Sequence, residues 1–306
     1  MSNIFASKYY DGVELRAILD DTVATWERER PDLVSIVTPV DLHHPMFLAA
    51  IASGAHVLCE KPTALHRLQA LEMAQVARDA GRIAGINHEF RFFPARMHAL
   101  ALVRSGAIGR VRRMDIVGRY PVWTRPETRP MNWLSEEHRG GGILGAYGSH
   151  HTDCVRTFLG EPVSALATTR VAQPRRGPTP TDARSGIATA DDGFTIEYAL
   201  ASGATAHLDV DATSPYRAER FEVHGEEANG QPAPSAAAPG RLLPGPGLNL
   251  IRLDTQLNAP QLPAMAPALL RPAAVGYSAT VLDGRSPSPW SGDPEAPVAL
   301  ERLPDG

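Results

Sequence analysis

Three short apolar runs in the first ninety residues, each closed by a polar or proline turn and trailed by a stretch of helical composition, constrain the fold more than any other feature. Residues 33–37 (LVSIV) end at Thr38-Pro39, residues 56–59 (HVLC) at Glu60-Lys61-Pro62, and residues 82–87 (RIAGIN) at Asn87-His88. Runs this short, rich in β-branched residues and stopped by proline, read as buried strands. Between them, 41–53 and 64–80 have helical composition and stop at Gly54 and Gly81, and 94–105 predicts a third helix. Parallel strands need a crossover of about a dozen residues, usually helical, so the spacing predicts βαβ units around a parallel sheet.

Beyond residue 110 the rhythm changes. Val111 to Tyr120 alternates like a strand, a helix is predicted over 143–159, and strand-like runs come near 163–171, 193–200, 204–210 and 219–224. This suits an α+β domain with an open antiparallel sheet. From about 228 onward Pro, Ala and Gly dominate, which predicts a loop-rich segment. The expected organisation is a parallel-sheet domain over 1–93 and an α+β domain over 94–306.

Bulk properties exclude several classes. A net charge of −4 argues against a nucleic-acid partner. No apolar run reaches the ~20 residues that span a bilayer, and the first residues lack a secretory pattern, so a cytoplasmic protein is expected. Cys59 and Cys154 stand far apart and offer no metal-type spacing, so no metal is expected. Of the 30 basic residues only Lys8 and Lys61 are lysine. Arginine serves at most solvated positions but cannot release a proton near neutrality. Lys61, fixed between a strand and a proline, is therefore a candidate for a site that needs a compact, titratable amine.

The three strand ends place Thr38-Pro39, Glu60-Lys61-Pro62 and Asn87-His88 along one edge of a parallel sheet, where open α/β sheets bind ligands. A second constellation is GGGILGAYGSHHTDCVRTFLG, residues 140–160. Gly140, Gly142 and Gly145 satisfy G-x-G-x-x-G in form, but no strand precedes them, so the dinucleotide reading is rejected. On a continuous helix Ala146, His150 and Asp153 share one face. His150 is then either a general acid/base and substrate hydrogen-bonding group or a helix histidine bonded to a carbonyl, with His151 a solvated bystander.

Taken together, VSIVTPVDLHHPMFLAAIASGAHVLCEKP (34–62), INHEFRFFPA (86–95), RSGAIGRVRRM (104–114) and GGGILGAYGSHHTDCVRTFLGEP (140–162) resemble the glucose-fructose oxidoreductase / inositol dehydrogenase / rhizopine-catabolism (Gfo/Idh/MocA) family. The resemblance implies a Rossmann-type domain succeeded by a substrate and oligomerisation domain. It implies hydride transfer between NAD or NADP and a sugar, cyclitol or related polyol, in a homo-oligomer. By resemblance Lys61 and His150 are catalytic. Thr38, Pro39, His43, Glu60, Lys61 and Asn87 line the cofactor cleft, and His88, Arg91 and Asp153 face the substrate.

Two departures qualify it. Ala146 stands where the family often carries an aspartate one turn before the histidine, with Asp153 as the candidate replacement. The chain opens on MSNIFASKYYDGVELRAILDD, which resembles only the stretch after the family's first strand–glycine turn–helix unit. The expectation is a truncated Rossmann-type domain with an exposed apolar strand edge. The alternative is a non-enzymatic polyol-binding or assembly protein derived from the family.

Overall fold

The computed structural model describes residues 14–226 and the two strands Leu250–Leu257 and Ser278–Val281. The reading of residues 1–13 lies outside the described residues, as does most of that of 228–306. Helix α1 (Glu14–Glu29), which the apolar pattern does not anticipate, leads into β1 (Leu33–Ile36), α2 (His43–Ala52), β2 (His56–Glu60), α3 (Arg67–Asp79) and β3 (Ala84–Asn87). The strands lie in the order β1-β2-β3, all parallel, with Ile36 beside Cys59 and Glu60 beside Asn87. Consecutive right-handed crossovers put α2 and α3 on the same face of such a sheet. Burial agrees with that placement: Val34, Ile36, Val57 and Cys59 point into a core with Trp26, Phe47 and Met73. On the other face Leu33, Val37 and Leu58 are exposed. Among the described residues β1 is an edge strand.

The second core lies under a larger sheet. Helix α4 (Pro94–Arg104) begins with proline, whose fixed φ suits the first helical position. Then come β4 (Val111–Pro121), α5 (Ser149–Leu159), β5 (Pro162–Arg170), a small hairpin of β6 (Arg175–Arg176) and β7 (Gly186–Ile187), β8 (Gly193–Leu200), β9 (Thr205–Asp211), β10 (Thr213–Gly225), β11 (Leu250–Leu257) and β12 (Ser278–Val281). The seven-stranded order is β12-β11-β10-β4-β9-β8-β5. Ala99, Cys154, Val155 and Phe158 of α4 and α5 pack on Met114, Ile116, Phe194, Leu208 and Phe221 of its inner face.

Three expectations need correction. The sheet is mixed rather than antiparallel, because β4 and β9 run parallel. The cause is topological: β9 and β10 are consecutive and run oppositely, and β4 is inserted between them, so it must parallel one. The segment expected to be loop-rich contributes two strands, β11 and β12, which extend the sheet beyond β10. The predicted helix 143–159 is not one α-helix. Leu144–Gly148 is a π turn, in which the amide of Ser149 donates to the Leu144 carbonyl, before α5 begins.

Candidate active site

Because β1, β2 and β3 are parallel, their closing residues converge at one edge. His43 is buried just beyond β1, with Nε2 3.0 Å from the Thr38 carbonyl and Nδ1 2.9 Å from the Pro62 carbonyl. It thus ties the first strand end to the second from behind, and burial pushes its pKa down against the raising effect of those carbonyls. Asn87 donates from Nδ2 to Glu60 Oε1 at 2.7 Å, joining the second strand end to the third. Pro39 is buried. The hydroxyl of Thr38 is shielded from solvent yet makes no hydrogen bond.

The glycine-rich segment docks onto this edge. Gly140 has φ +75°, and a Cβ there would meet Val40 Cγ1 at 2.1 Å and Leu65 Cδ2 at 2.7 Å. At Gly142, φ +106°, a Cβ would sit 2.2 Å from Asp191 Oδ1. That space is needed because Asp191 Oδ2 accepts the amides of Ile143 and Leu144, at 3.1 and 2.9 Å, at the start of the π turn. These glycines therefore permit close backbone packing. The π turn widens the helical ladder, as such turns commonly do at functional sites. Its Ala146 carbonyl accepts the Lys61 ammonium at 3.2 Å. The position that lacks the family's aspartate thus meets Lys61 through its main chain.

His150 comes one turn later. Phe90 stacks on its ring, with centroids 3.8 Å apart and planes 8° from parallel, and His88 meets its edge at 5.8 Å. Nε2 faces Glu89 Oε1 at 3.4 Å, whereas Nδ1 is buried without a hydrogen bond. Burial, then the charge of Lys61 and the neighbouring His88, His151 and Arg96, holds the His150 pKa down to about 2. The ring is therefore neutral at physiological pH. The alternative of a carbonyl-bonded helix histidine does not describe it. Nor is His151 solvated: it is fully buried, and burial drives its pKa down to about 4.

Asp153 does not serve His150. Both its oxygens are gripped by Arg91, whose Nε donates to Oδ2 at 2.9 Å and whose Nη2 donates to Oδ1. This pair clamps the segment after β3 to α5, with the carboxylate buried and the guanidinium partly in solvent. Beside it opens a cleft of about 410 Å³, whose lining includes Pro62, His66, His88, Thr152, Asp153 and Tyr198. Thr152 Oγ1 and the Tyr198 hydroxyl lie 2.8 Å apart in its wall. Lys61, His88 and Glu89 gather around His150. Sequence reasoning passed over Glu89, Phe90, Asp191 and Tyr198. Glu89 and Phe90 could have been found from their place between His88 and Arg91.

Two family models match most of the described residues. Residues 7–88 match a family model described as an oxidoreductase family with an NAD-binding Rossmann fold. Residues 97–229 match the Gfo/Idh/MocA C-terminal domain. The chain belongs to the Gfo/Idh/MocA oxidoreductase family. It is 31% identical over 200 residues to the 1,5-anhydro-D-fructose reductase of Ensifer adhaerens, covering 65% of this chain and 56% of that one. It is 27% identical over 231 residues to the levoglucosan dehydrogenase of Pseudarthrobacter phenanthrenivorans, covering 70% and 56%. Among solved structures it is similar to an NAD-binding oxidoreductase from Klebsiella pneumoniae, at TM-score 0.63 and 27% identity over 77% of this chain and 57% of that one. A levoglucosan dehydrogenase complexed with NADH and levoglucosan matches at TM-score 0.60 and 26% identity, over 71% and 56%. The chain spans about half the length of the curated relatives it matches. Among the described residues no helix is long and apolar enough to cross a membrane.

The residues present fit the nicotinamide end of the cofactor this Gfo/Idh/MocA architecture implies. Buried polar atoms normally find partners, and Thr38 Oγ1, His88 Nδ1, Glu89 Oε2 and His150 Nδ1 have none among the described residues. Thr38, His88 and Glu89 follow the carboxyl ends of β1 and β3, and they with His150 are the residues that would meet such a ring.

Proposed function

We propose that the chain carries the catalytic half of an NAD(P)-dependent oxidoreductase acting on a CH–OH group of a sugar, cyclitol or related polyol. The observation that carries this reading is the contact of Lys61 with the Ala146 carbonyl at 3.2 Å. It brings the lone lysine among the described residues against the turn that presents His150. When bound, a nicotinamide supplies or accepts the hydride. Thr38 and Pro39, with the Glu60–Asn87 pair behind them, would flank its ring. The chain's own residues handle the proton. Removing hydride from an alcohol leaves a hydroxyl proton to be taken away, and the reverse step needs a donor beside the oxygen. Lys61 holds that proton at Nζ and polarises the oxygen. His150, kept neutral, fixes the hydroxyl by a hydrogen bond from its imidazole ring. His88 and the Arg91–Asp153 clamp shape the polyol side.

Homo-oligomerisation through the outer face of the large sheet, and a cytoplasmic location, belong to the same reading. Support comes from the family membership and from β5, whose Val163 and Leu166 are exposed.

The test is titration of the purified chain with NADH and NADPH, tracking energy transfer from its four tryptophans, then turnover with a polyol panel. Saturable binding with turnover is expected. Lys61→Met should lower turnover by about 10²-fold or more while leaving nicotinamide affinity within a few-fold. Saturable polyol binding without any nicotinamide binding would replace this reading with the non-enzymatic one.

A further inference from the structure

The inner face of the large sheet, the one covered by α4 and α5, ends in two cations that the proposed reaction does not use. Side chains alternate along β10, and Phe221 and Val223 point inward, so Arg217 does too. Its guanidinium carbon lies 5.7 Å from the centroid of the buried Tyr120 ring. Arg129, in the segment after β4, stands 5.8 Å over the buried Trp123 ring. Trp123 N donates to the Ala212 carbonyl at 2.8 Å and Thr124 Oγ1 to the Ser214 carbonyl at 2.7 Å, which ties this segment to the start of β10. Among the described residues neither guanidinium makes an ion pair or a hydrogen bond.

Tyr147 connects these cations to the reacting centre. It belongs to the π turn, three residues before His150, and its ring stacks on Tyr120 with centroids 4.4 Å apart. The same ring lies 6.4 Å from Phe90, which in turn lies flat on His150. Burial raises the Tyr147 pKa against the opposing charges of Arg217 and Arg129, so the hydroxyl keeps its proton and can donate. The carboxylates nearby are engaged. Glu219 accepts from Arg96 and, at 2.6 Å, from the Tyr120 hydroxyl, and Asp153 is held by Arg91. Glu89 faces His150, where the charge of Lys61 also acts. Positive charge is therefore in surplus at the Tyr147 end of this run of rings.

We propose that Arg217 and Arg129, with the Tyr147 hydroxyl, bind an anionic group of the substrate, which is then an acidic sugar bearing a carboxylate or phosphoryl group rather than a neutral polyol. This assignment rests on the reading of Lys61 and His150 as the reacting centre. A planar guanidinium offers a fork of donors that matches either anion. The aromatic ring beneath each one steadies it by a cation–π contact and leaves its N–H groups for a ligand. A sugar ring lying along Tyr147 and Phe90 would present a hydroxyl to His150 and its acid group to the arginines. Arg217 belongs to the inner face, so this subsite leaves the outer face of the sheet free for a subunit contact.

The experiment is calorimetric titration of the purified chain with glucuronate, glucose 6-phosphate and glucose, at low and at raised salt. At least one of the two acids should bind about tenfold or more tighter than glucose, with an advantage that shrinks as salt rises. Which acid wins distinguishes a carboxylate from a phosphoryl ligand. Arg217→Gln should bring the affinity for that acid down toward the glucose value while keeping the circular dichroism of the parent chain. Arg217→Lys, which keeps a charge without the fork, should retain part of the preference. Equal affinity for all three sugars, or no binding of any, would overturn the proposal. So would a preference that survives in the double variant of Arg217→Gln and Arg129→Gln. Acid preference without nicotinamide-dependent turnover would uphold the anion subsite and sink the oxidoreductase reading. Turnover of neutral polyols without acid preference would do the reverse.

Discussion

The ring of Phe90 lies flat on the imidazole of His150, 3.8 Å between centroids, although the two residues stand sixty positions apart. Phe90 sits in the turn after β3 and His150 near the start of α5, so the stack couples the parallel-sheet edge to the helix that faces it. Its electrostatic consequence is larger than its packing. The stacked face is closed to water, and desolvation is the leading reason that His150 titrates near 2. Phe90→Ala should open that face and raise the His150 pKa by about one unit or more. Carbon-bound proton shifts of the ring, assigned with a His150 variant, would report it. A ring that still titrates near its original value would mean that Lys61 and the neighbouring histidines, rather than burial, set it.

His151 gives the fold an acid-labile character. An unfolded histidine takes up a proton near 6.5, whereas folded His151 does so only near 4 and His150 near 2. Between those values the unfolded chain binds more protons. Stability is thus full above about pH 6.5 and is lost as the pH falls toward 4. The loss is about 1.4 kcal/mol per pH unit for each such histidine. Burial pushes His43 and His88 in the same direction. Denaturant melts at a series of pH values should show this slope, and His151→Gln should make it shallower whatever it does to absolute stability. An identical slope in that variant would remove His151 from the account.

Much of this was legible in sequence because it depends on local chemistry. The βαβ rhythm, the strand-end clusters and Lys61 emerge from short apolar runs, turn residues and an arginine-dominated composition. The features that escaped depend on contacts between distant segments. The π turn requires Asp191, more than forty residues on, to hold the amides of Ile143 and Leu144. The parallel pairing of β4 with β9 arises from an insertion between two consecutive strands. Asp153 reads as a neighbour of His150 by spacing, yet Arg91 from another element claims it. His151 reads as solvated on helix periodicity alone, but the π turn shifts the rotation of every residue after it.

The Asp191 cap should therefore control the geometry of the site without touching it. Asp191→Ala leaves the Leu144 amide without its acceptor and Ile143 with only the Asp191 main-chain carbonyl at 3.1 Å, at a cost of about 1–3 kcal/mol. Gly142→Ala should be worse, since its Cβ collides with the same carboxylate at a positive φ. Thermal melts give the first reading. The second is hydrogen exchange, which should accelerate across residues 143–150 in Asp191→Ala. Exchange that rises evenly over the chain would show that Asp191 stabilises the fold without specifically holding the turn.

The Arg91–Asp153 clamp separates binding from chemistry. Asp153 is buried and lines the cleft, and Arg91 is partly exposed. Arg91→Lys retains a charge but loses the two-pronged grip that a planar guanidinium gives a carboxylate. If the clamp shapes the polyol pocket, this variant should raise KM by about tenfold, equivalent to ~1.4 kcal/mol of lost uniform binding, with kcat within a few-fold. Asp153→Asn should do the same, because an amide offers Arg91 only one acceptor oxygen. Lys61→Met would act in the opposite sense, on kcat with little change in KM. Steady-state kinetics on the same polyol distinguishes the two patterns. A fall in kcat for the Arg91 variant at constant KM would place the clamp among the groups that organise the reacting atoms, next to His150.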